Sequence, residues 1–178
     1  PARRLSTLLR FYHPAVRDGE LPEDPSDRIE APRLGRSLPK ALTEDDVELL
    51  INAPNVDLAL GLRDRAMLEL LYATGLRVSE LVGLRVLQLN LRQGVVRTLG
   101  KGSKERLVPL GEVASEWLES YLCTARVELM KGRECEQLFV TQRGAGMTRQ
   151  AFWYLIKKHA QKAGITKPLS QHTLRHSF

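Results

Sequence analysis

Apolar residues change their spacing twice along this chain, and those changes bound what it can fold into. From residue 43 to 83 they recur at the three- and four-residue intervals of helices. Over residues 88–91, 95–99 and 106–109 they alternate, and from about residue 112 the helical interval returns. Alternation puts successive side chains on opposite faces of a strand, whereas a 3.6-residue period draws an apolar stripe down a helix. Three short alternating runs make one small antiparallel sheet. The last two are joined by a turn around Gly100-Lys101-Gly102-Ser103-Lys104. The expected fold is mainly α with a small antiparallel β-sheet.

The helix signals are local. Thr43-Glu44-Asp45-Asp46 reads as an N-cap followed by acids that complement the helix dipole, and Pro54 closes the helix after about Asn52. A second helix is predicted from about Leu58 to Thr74, with Leu62, Ala66, Leu70 and Leu71 toward one face and Gly75 as its stop. A third begins near Arg77 and ends near Gly83. Further helices are predicted over about 112–131 and 148–163, with another starting near Ser170. At the other end, residues 3–17 carry a helical stripe of Leu5, Leu8, Leu9 and Tyr12, which Pro14 should end or kink. Residues 18–41 hold four prolines (Pro22, Pro25, Pro32, Pro39) and read as an extended linker. Residues 1–36 are therefore taken as the remnant of an N-terminal helical domain plus linker, and residues 37–178 as a second, larger domain.

Charge narrows the partner. The longest run without a charged residue is the eight residues 49–56, too short to span a bilayer. The first ten residues carry Arg3, Arg4 and Arg10 with no apolar run behind them, unlike a secretory leader. Cys123 and Cys135 lack metal-ligand or redox spacing and read as free thiols of a reducing cytoplasm. Residues 1–136 hold 20 Lys and Arg against 21 Asp and Glu, a balance of −1. Residues 137–178 hold seven Lys and Arg and no acid, so the net charge of +6 comes wholly from the last 42 residues. A segment of that length without a carboxylate points to a polyanion, most often nucleic acid.

Four segments carry chemistry. In Ala73-Thr74-Gly75-Leu76-Arg77-Val78-Ser79-Glu80-Leu81, Arg77 and Glu80 share a helix face, either as a surface ion pair or as a fixed anion-binding arginine. In Gly100-Lys101-Gly102-Ser103-Lys104-Glu105-Arg106, a glycine-flanked lysine on a hairpin tip is a solvated turn or a group that swings toward a phosphate. It is not a Walker A loop, since Val95 and Gly102 stand where that loop needs Gly and Ser or Thr. In His172-Thr173-Leu174-Arg175-His176, the i, i+3 pair is a structural histidine or a proton-transfer group beside an anion-binding arginine. Zinc is not expected there, because the Glu of H-E-x-x-H is missing and Arg175 would repel a cation. Lastly, the helix of residues 147–162 combines core-spaced Phe152, Leu155 and Ile156 with Arg149, Lys157, Lys158 and Lys162. Two arginines, a lysine and a histidine together suit phosphoryl transfer without a metal or other cofactor. The guanidinium groups offer bidentate donors to non-bridging oxygens, the lysine can protonate a leaving 5′-oxygen, and the histidine can assist proton transfer.

The runs ATGLRVSEL, GKGSKERLVPLG, MTRQAFW and HTLRH, in that order, resemble those of the tyrosine recombinase (phage integrase) family, and within it the Xer-type site-specific recombinases; the linker DPSDRIEAPRL shares the likeness. The resemblance implies a catalytic domain over residues 37–178 and the end of a core-DNA-binding domain before it. It implies catalytic roles for Arg77, Lys101, His172 and Arg175, with Glu80 in support. Lys104, Arg106, Arg149, Lys157 and Lys158 are candidates for DNA contact. The activity implied is strand cleavage and rejoining through a 3′-phosphotyrosine link, serving chromosome dimer resolution at cell division. The partners implied are duplex DNA at a specific site, an XerC-like recombinase in a four-subunit assembly, and an FtsK-like translocase. A mobile-element integrase and a non-catalytic DNA-binding fragment are the alternatives. The family's further Gly-His motif and tyrosine nucleophile are not matched here. Tyr12, Tyr72, Tyr121 and Tyr154 all stand in other contexts, Tyr72 and Tyr154 in runs that read as core. The 178 residues alone are accordingly expected to be inactive in cleavage.

Overall fold

In the computed structural model the chain divides into two compact units, residues Pro1–Leu38 and Pro39–Phe178. The structure describes residues 10–12, 14, 16–19, 21, 22, 25, 42–99, 105–167 and 169, with the backbone alone at Leu99. In the first unit Arg10, Phe11, Tyr12, Pro14, Val16 and Arg17 are all helical, so the helix does not end at Pro14 as its missing N–H suggested. Asp18 N–H donates to the Pro14 carbonyl, and Gly19 follows at φ 76°. The linker over residues 18–41 and the helix expected near Ser170 lie almost wholly outside the described residues.

The second unit begins with α1 (Glu44–Asn52). Its cap is a full box: Thr43 Oγ1 accepts from Asp46 N–H, and the Asp46 carboxylate accepts from Thr43 N–H. Helix α2 (Ala59–Thr74) follows and is stopped by Gly75 at φ 57°, a left-handed conformation that glycine adopts without strain. Ten of its 16 residues are buried, and Ala66, Met67, Leu68 and Leu70 are inaccessible to solvent. Burial thus runs well beyond the single face drawn by the apolar spacing. The helix is the centre of the unit, with α1 on it together with α4 (Glu112–Ser120) and that helix's continuation. Arg63, Asp64 and Glu69 are buried with it, each in an ion pair.

Short α3 (Val78–Gly83) leads through a 3₁₀ turn (Val86–Gln88) to a three-stranded antiparallel sheet of β1 (Leu89–Asn90), β2 (Val95–Leu99) and β3 (Glu105–Pro109), in that order. The β2–β3 register pairs Val95 with Pro109 and Thr98 with Arg106. The predicted helix of 112–131 is interrupted. α4 passes into a π-helical turn (Tyr121–Ala125) and then α5 (Arg126–Met130). The wide turn keeps Tyr121, Ala125 and Leu129 all buried. Tyr121 donates its hydroxyl to the Leu138 carbonyl and accepts from Val140 N–H. Helix α6 (Arg149–Lys162), capped by Thr148 Oγ1 on Ala151 N–H, completes the described fold.

Candidate functional site

The turn from α2 into α3 places Arg77. Gly75 reverses the chain, Leu76 is buried as an anchor, and Arg77 sits at the N-cap of α3 with extended backbone. Leu81 and Val82 bury the opposite side of the short helix. Glu80 therefore projects back across the helix start. One carboxylate oxygen accepts Arg77 N–H at 2.8 Å and the other accepts Arg77 Nη1 at 2.9 Å. The Glu80 side chain is only 15% exposed, whereas that of Arg77 is 50% exposed. A carboxylate in the first turn suits the helix dipole and also neutralises the arginine. Among the described residues Glu80 is the one acceptor that the Arg77 guanidinium meets. The arrangement is a half-exposed cation oriented by a mostly buried anion.

Arg106 joins the same carboxylate. Its Nη2 donates to Glu80 Oε2 at 3.2 Å, and its Nε donates to Thr98 Oγ1 at 2.9 Å. Arg106, a candidate for DNA contact by its sequence, thus also reaches the carboxylate that holds Arg77, with its side chain 48% exposed. Thr98, 2% exposed and paired directly with Arg106 across the sheet, was not singled out at all. The one available signal was the alternation of β2, which turns Thr98 inward beside Val96. Beside this cluster lies an open groove of about 560 Å³, lined by Ser79, Glu80, Arg85, Arg97, Thr98 and Glu105 among others.

Lys101, Lys104, His172 and Arg175 lie outside the described residues. Arg149, Lys157 and Lys158 are exposed on α6, while Phe152, Leu155 and Ile156 are buried beneath them as the spacing predicted. Lys162 differs from those lysines, because its Nζ donates to the Ala53 carbonyl at the end of α1. Two tyrosines correct their predicted burial: Tyr72 is 49% exposed and Tyr154 75% exposed. Each projects from the side of its helix that the core does not cover, although its neighbours in sequence are apolar. Cys123 and Cys135 are free thiols. Among the described residues no helix is long and apolar enough to cross a membrane.

With this geometry in view, the likeness to known proteins is specific. The profile of the phage integrase family matches residues 40–178, and the chain belongs to that family. Among curated relatives it is 60% identical over 177 residues to the tyrosine recombinase XerD of Pseudomonas aeruginosa. That alignment covers 99% of this chain and 59% of the relative. It is 53% identical to XerD of Shewanella oneidensis, again over 99% of this chain and 59% of the relative. The chain thus spans about three fifths of the length of these relatives. Among solved structures, XerH bound to palindromic difH superposes with a TM-score of 0.65 at 28% identity, over 84% of this chain and 43% of that one. A lambda integrase dimer bound to a COC′ core site shares the fold, with a TM-score of 0.68 at 18% identity over 99% of this chain and 49% of the other.

Proposed function

We propose that the protein carrying this chain is a site-specific DNA strand transferase of the XerD kind. A tyrosine attacks a phosphodiester, forms a 3′-phosphotyrosyl bond and releases a 5′-hydroxyl. A 5′-hydroxyl of the partner duplex then attacks that bond and regenerates the tyrosine. The phosphoester energy is retained in the link, so neither ATP nor a metal is required. Arg77 and Arg175 stabilise the charge that builds on the non-bridging oxygens, Lys101 protonates the leaving 5′-oxygen, and His172 assists proton transfer. Lys104, Arg149, Lys157 and Lys158 neutralise backbone phosphates. Residues 37–178 form the catalytic domain and residues 1–36 the end of a core-DNA-binding domain. The wider setting is cytoplasmic chromosome dimer resolution at cell division, with an XerC-like partner in a four-subunit assembly under an FtsK-like translocase.

The observation that carries this reading is Arg77, half exposed and aimed by Glu80, in a chain 60% identical over 177 residues to a relative named XerD. DNA as substrate is supported by the XerH structure, which is bound to its difH substrate. None of the four tyrosines here is the nucleophile. Tyr121 is buried with its hydroxyl bonded to Leu138 and Val140, while Tyr12, Tyr72 and Tyr154 lie in none of the shared motifs. The test is a nicked suicide substrate carrying the recombination site, incubated with full-length protein. A denaturation-resistant adduct should form with the wild type and with the Y12F, Y72F, Y121F and Y154F variants, and not with Arg77→Ala. An adduct lost in any one tyrosine variant that still folds would overturn this assignment.

A further inference from the structure

We propose that Arg106 is a positioning residue of the cleavage site, acting through Glu80 on Arg77, and not a DNA phosphate contact. This rests on the strand-transfer reading of Arg77. Its guanidinium is divided between two elements. Nε is fixed to Thr98 Oγ1 on the facing strand β2, and Nη2 is fixed to Glu80 Oε2 on α3. Glu80 Oε2 also holds the Arg77 backbone N–H, while Oε1 holds the Arg77 guanidinium. One mostly buried carboxylate therefore joins two arginines, 29 positions apart in sequence, with Arg106 Nη2 and the Arg77 backbone N–H sharing Oε2.

The consequences follow from bonding capacity. With Arg77 alone the carboxylate is held by one fixed backbone N–H and by one guanidinium on a flexible stem, so its plane can still shift with that stem. The third bond, from a donor that is itself pinned to buried Thr98, fixes the plane of the carboxylate and so the direction of the Arg77 donors. The bond to Thr98 also ties β3 to β2 at the Thr98–Arg106 pair. A guanidinium is suited to this, because its planar fork serves two acceptors at a set angle. A lysine ammonium on a flexible stem cannot hold both in that geometry.

The experiment compares Arg106→Gln and Arg106→Lys with wild type in the full-length protein. It measures single-turnover cleavage of the nicked substrate and the salt dependence of DNA affinity. A positioning role predicts that both variants cleave roughly ten- to a hundredfold more slowly, while the slope of log affinity against log salt is unchanged. In a Glu80→Gln background, Arg106→Gln should add little further loss, since it acts through that carboxylate. A salt slope reduced by about one in Arg106→Gln and restored in Arg106→Lys would overturn the proposal in favour of a phosphate contact. Full additivity with Glu80→Gln would overturn it as well. If the wild type itself formed no adduct, the strand-transfer reading would fail and this role with it. The clamp would still be judged by hydrogen exchange without DNA. Faster exchange of the β2 and β3 amides in Arg106→Gln would uphold it, and unchanged exchange would refute it.

Discussion

Asp64 on α2 and His159 on α6, 95 positions apart, meet in the interior with His159 Nε2 at 2.8 Å from Asp64 Oδ2. The other oxygen of Asp64 accepts from Arg63 Nε and Nη2, and Arg63 Nη1 donates to the Val140 carbonyl. All three side chains are less than a tenth exposed. A carboxylate can only accept, so Nε2 carries the proton. Nδ1 is left as a buried atom without a partner in the described structure. This network joins the central helix to the helix that bears Arg149, Lys157 and Lys158.

Removing the shared carboxylate should be costly. Asp64→Ala leaves a buried guanidinium and a buried imidazole N–H without their acceptor, and should destabilise the protein by about 3–5 kcal/mol. Urea denaturation is the measurement. A loss within about 0.5 kcal/mol, the range of a surface change, would contradict the network as drawn.

Tyr121 makes a pH prediction. Burial pushes its hydroxyl up from 10.0 to about 12. With the folded value above the unfolded one, the stabilisation is complete below pH 10 and is lost as pH rises from 10 through 12, because the unfolded chain ionises first. A stability profile should fall across that window, and Tyr121→Phe should flatten it. The same variant should cost about 1–2 kcal/mol at neutral pH, since Val140 N–H loses its acceptor and the Leu138 carbonyl loses one of two donors.

Asp46 titrates at the opposite extreme. Lys167 Nζ, Thr43 N–H and the Thr43 hydroxyl all bond to its carboxylate and lower its pKa from 3.8 to about 2. A depressed value means that the stabilisation is present above the unfolded pKa, near 4, and is lost as pH falls through about 2. Following the carboxyl carbon by NMR should place its midpoint near 2 in the wild type and raise it in Lys167→Met. An unchanged midpoint would remove Lys167 from the cap.

Much of the fold was legible because its signals are local. The Thr43 cap, the Gly75 stop and the alternation of β2 need only neighbouring residues. What was not legible depends on contacts distant in sequence. Nothing near Asp64 announces His159, and nothing near Tyr121 announces the Leu138 carbonyl for which the helix widens. Gly61 is of the same kind. A Cβ there would lie 1.8 Å from the Asn55 carbonyl oxygen, a backbone atom that cannot move aside alone. Gly61→Ala should therefore cost about 3 kcal/mol, the upper range for overpacking, and a thermal melt would show it. In the site, Arg77 and Glu80 were legible as an i, i+3 pair. Arg106 was read from the hairpin motif and its charge, and only the strand register and the contact with α3 reveal that its guanidinium is shared by Thr98 and Glu80.

The lysines of α6 differ in what their ammonium groups meet among the described residues. Lys157, Lys158 and Lys162 are all exposed, but Lys162 Nζ donates to Ala53 O at 2.8 Å, where it serves the carbonyl end of α1. Binding of a duplex releases one counterion for roughly each phosphate neutralised, so each lost contact lowers the salt slope by about 0.9. Lys157→Gln and Lys158→Gln should each produce that change in a binding titration across salt concentrations, with little effect on stability. Lys162→Gln should leave the slope as it is and lower the melting temperature, because its ammonium is committed to the fold. A slope that falls for Lys162→Gln and holds for the other two would reverse the assignment of the DNA-facing side of this helix.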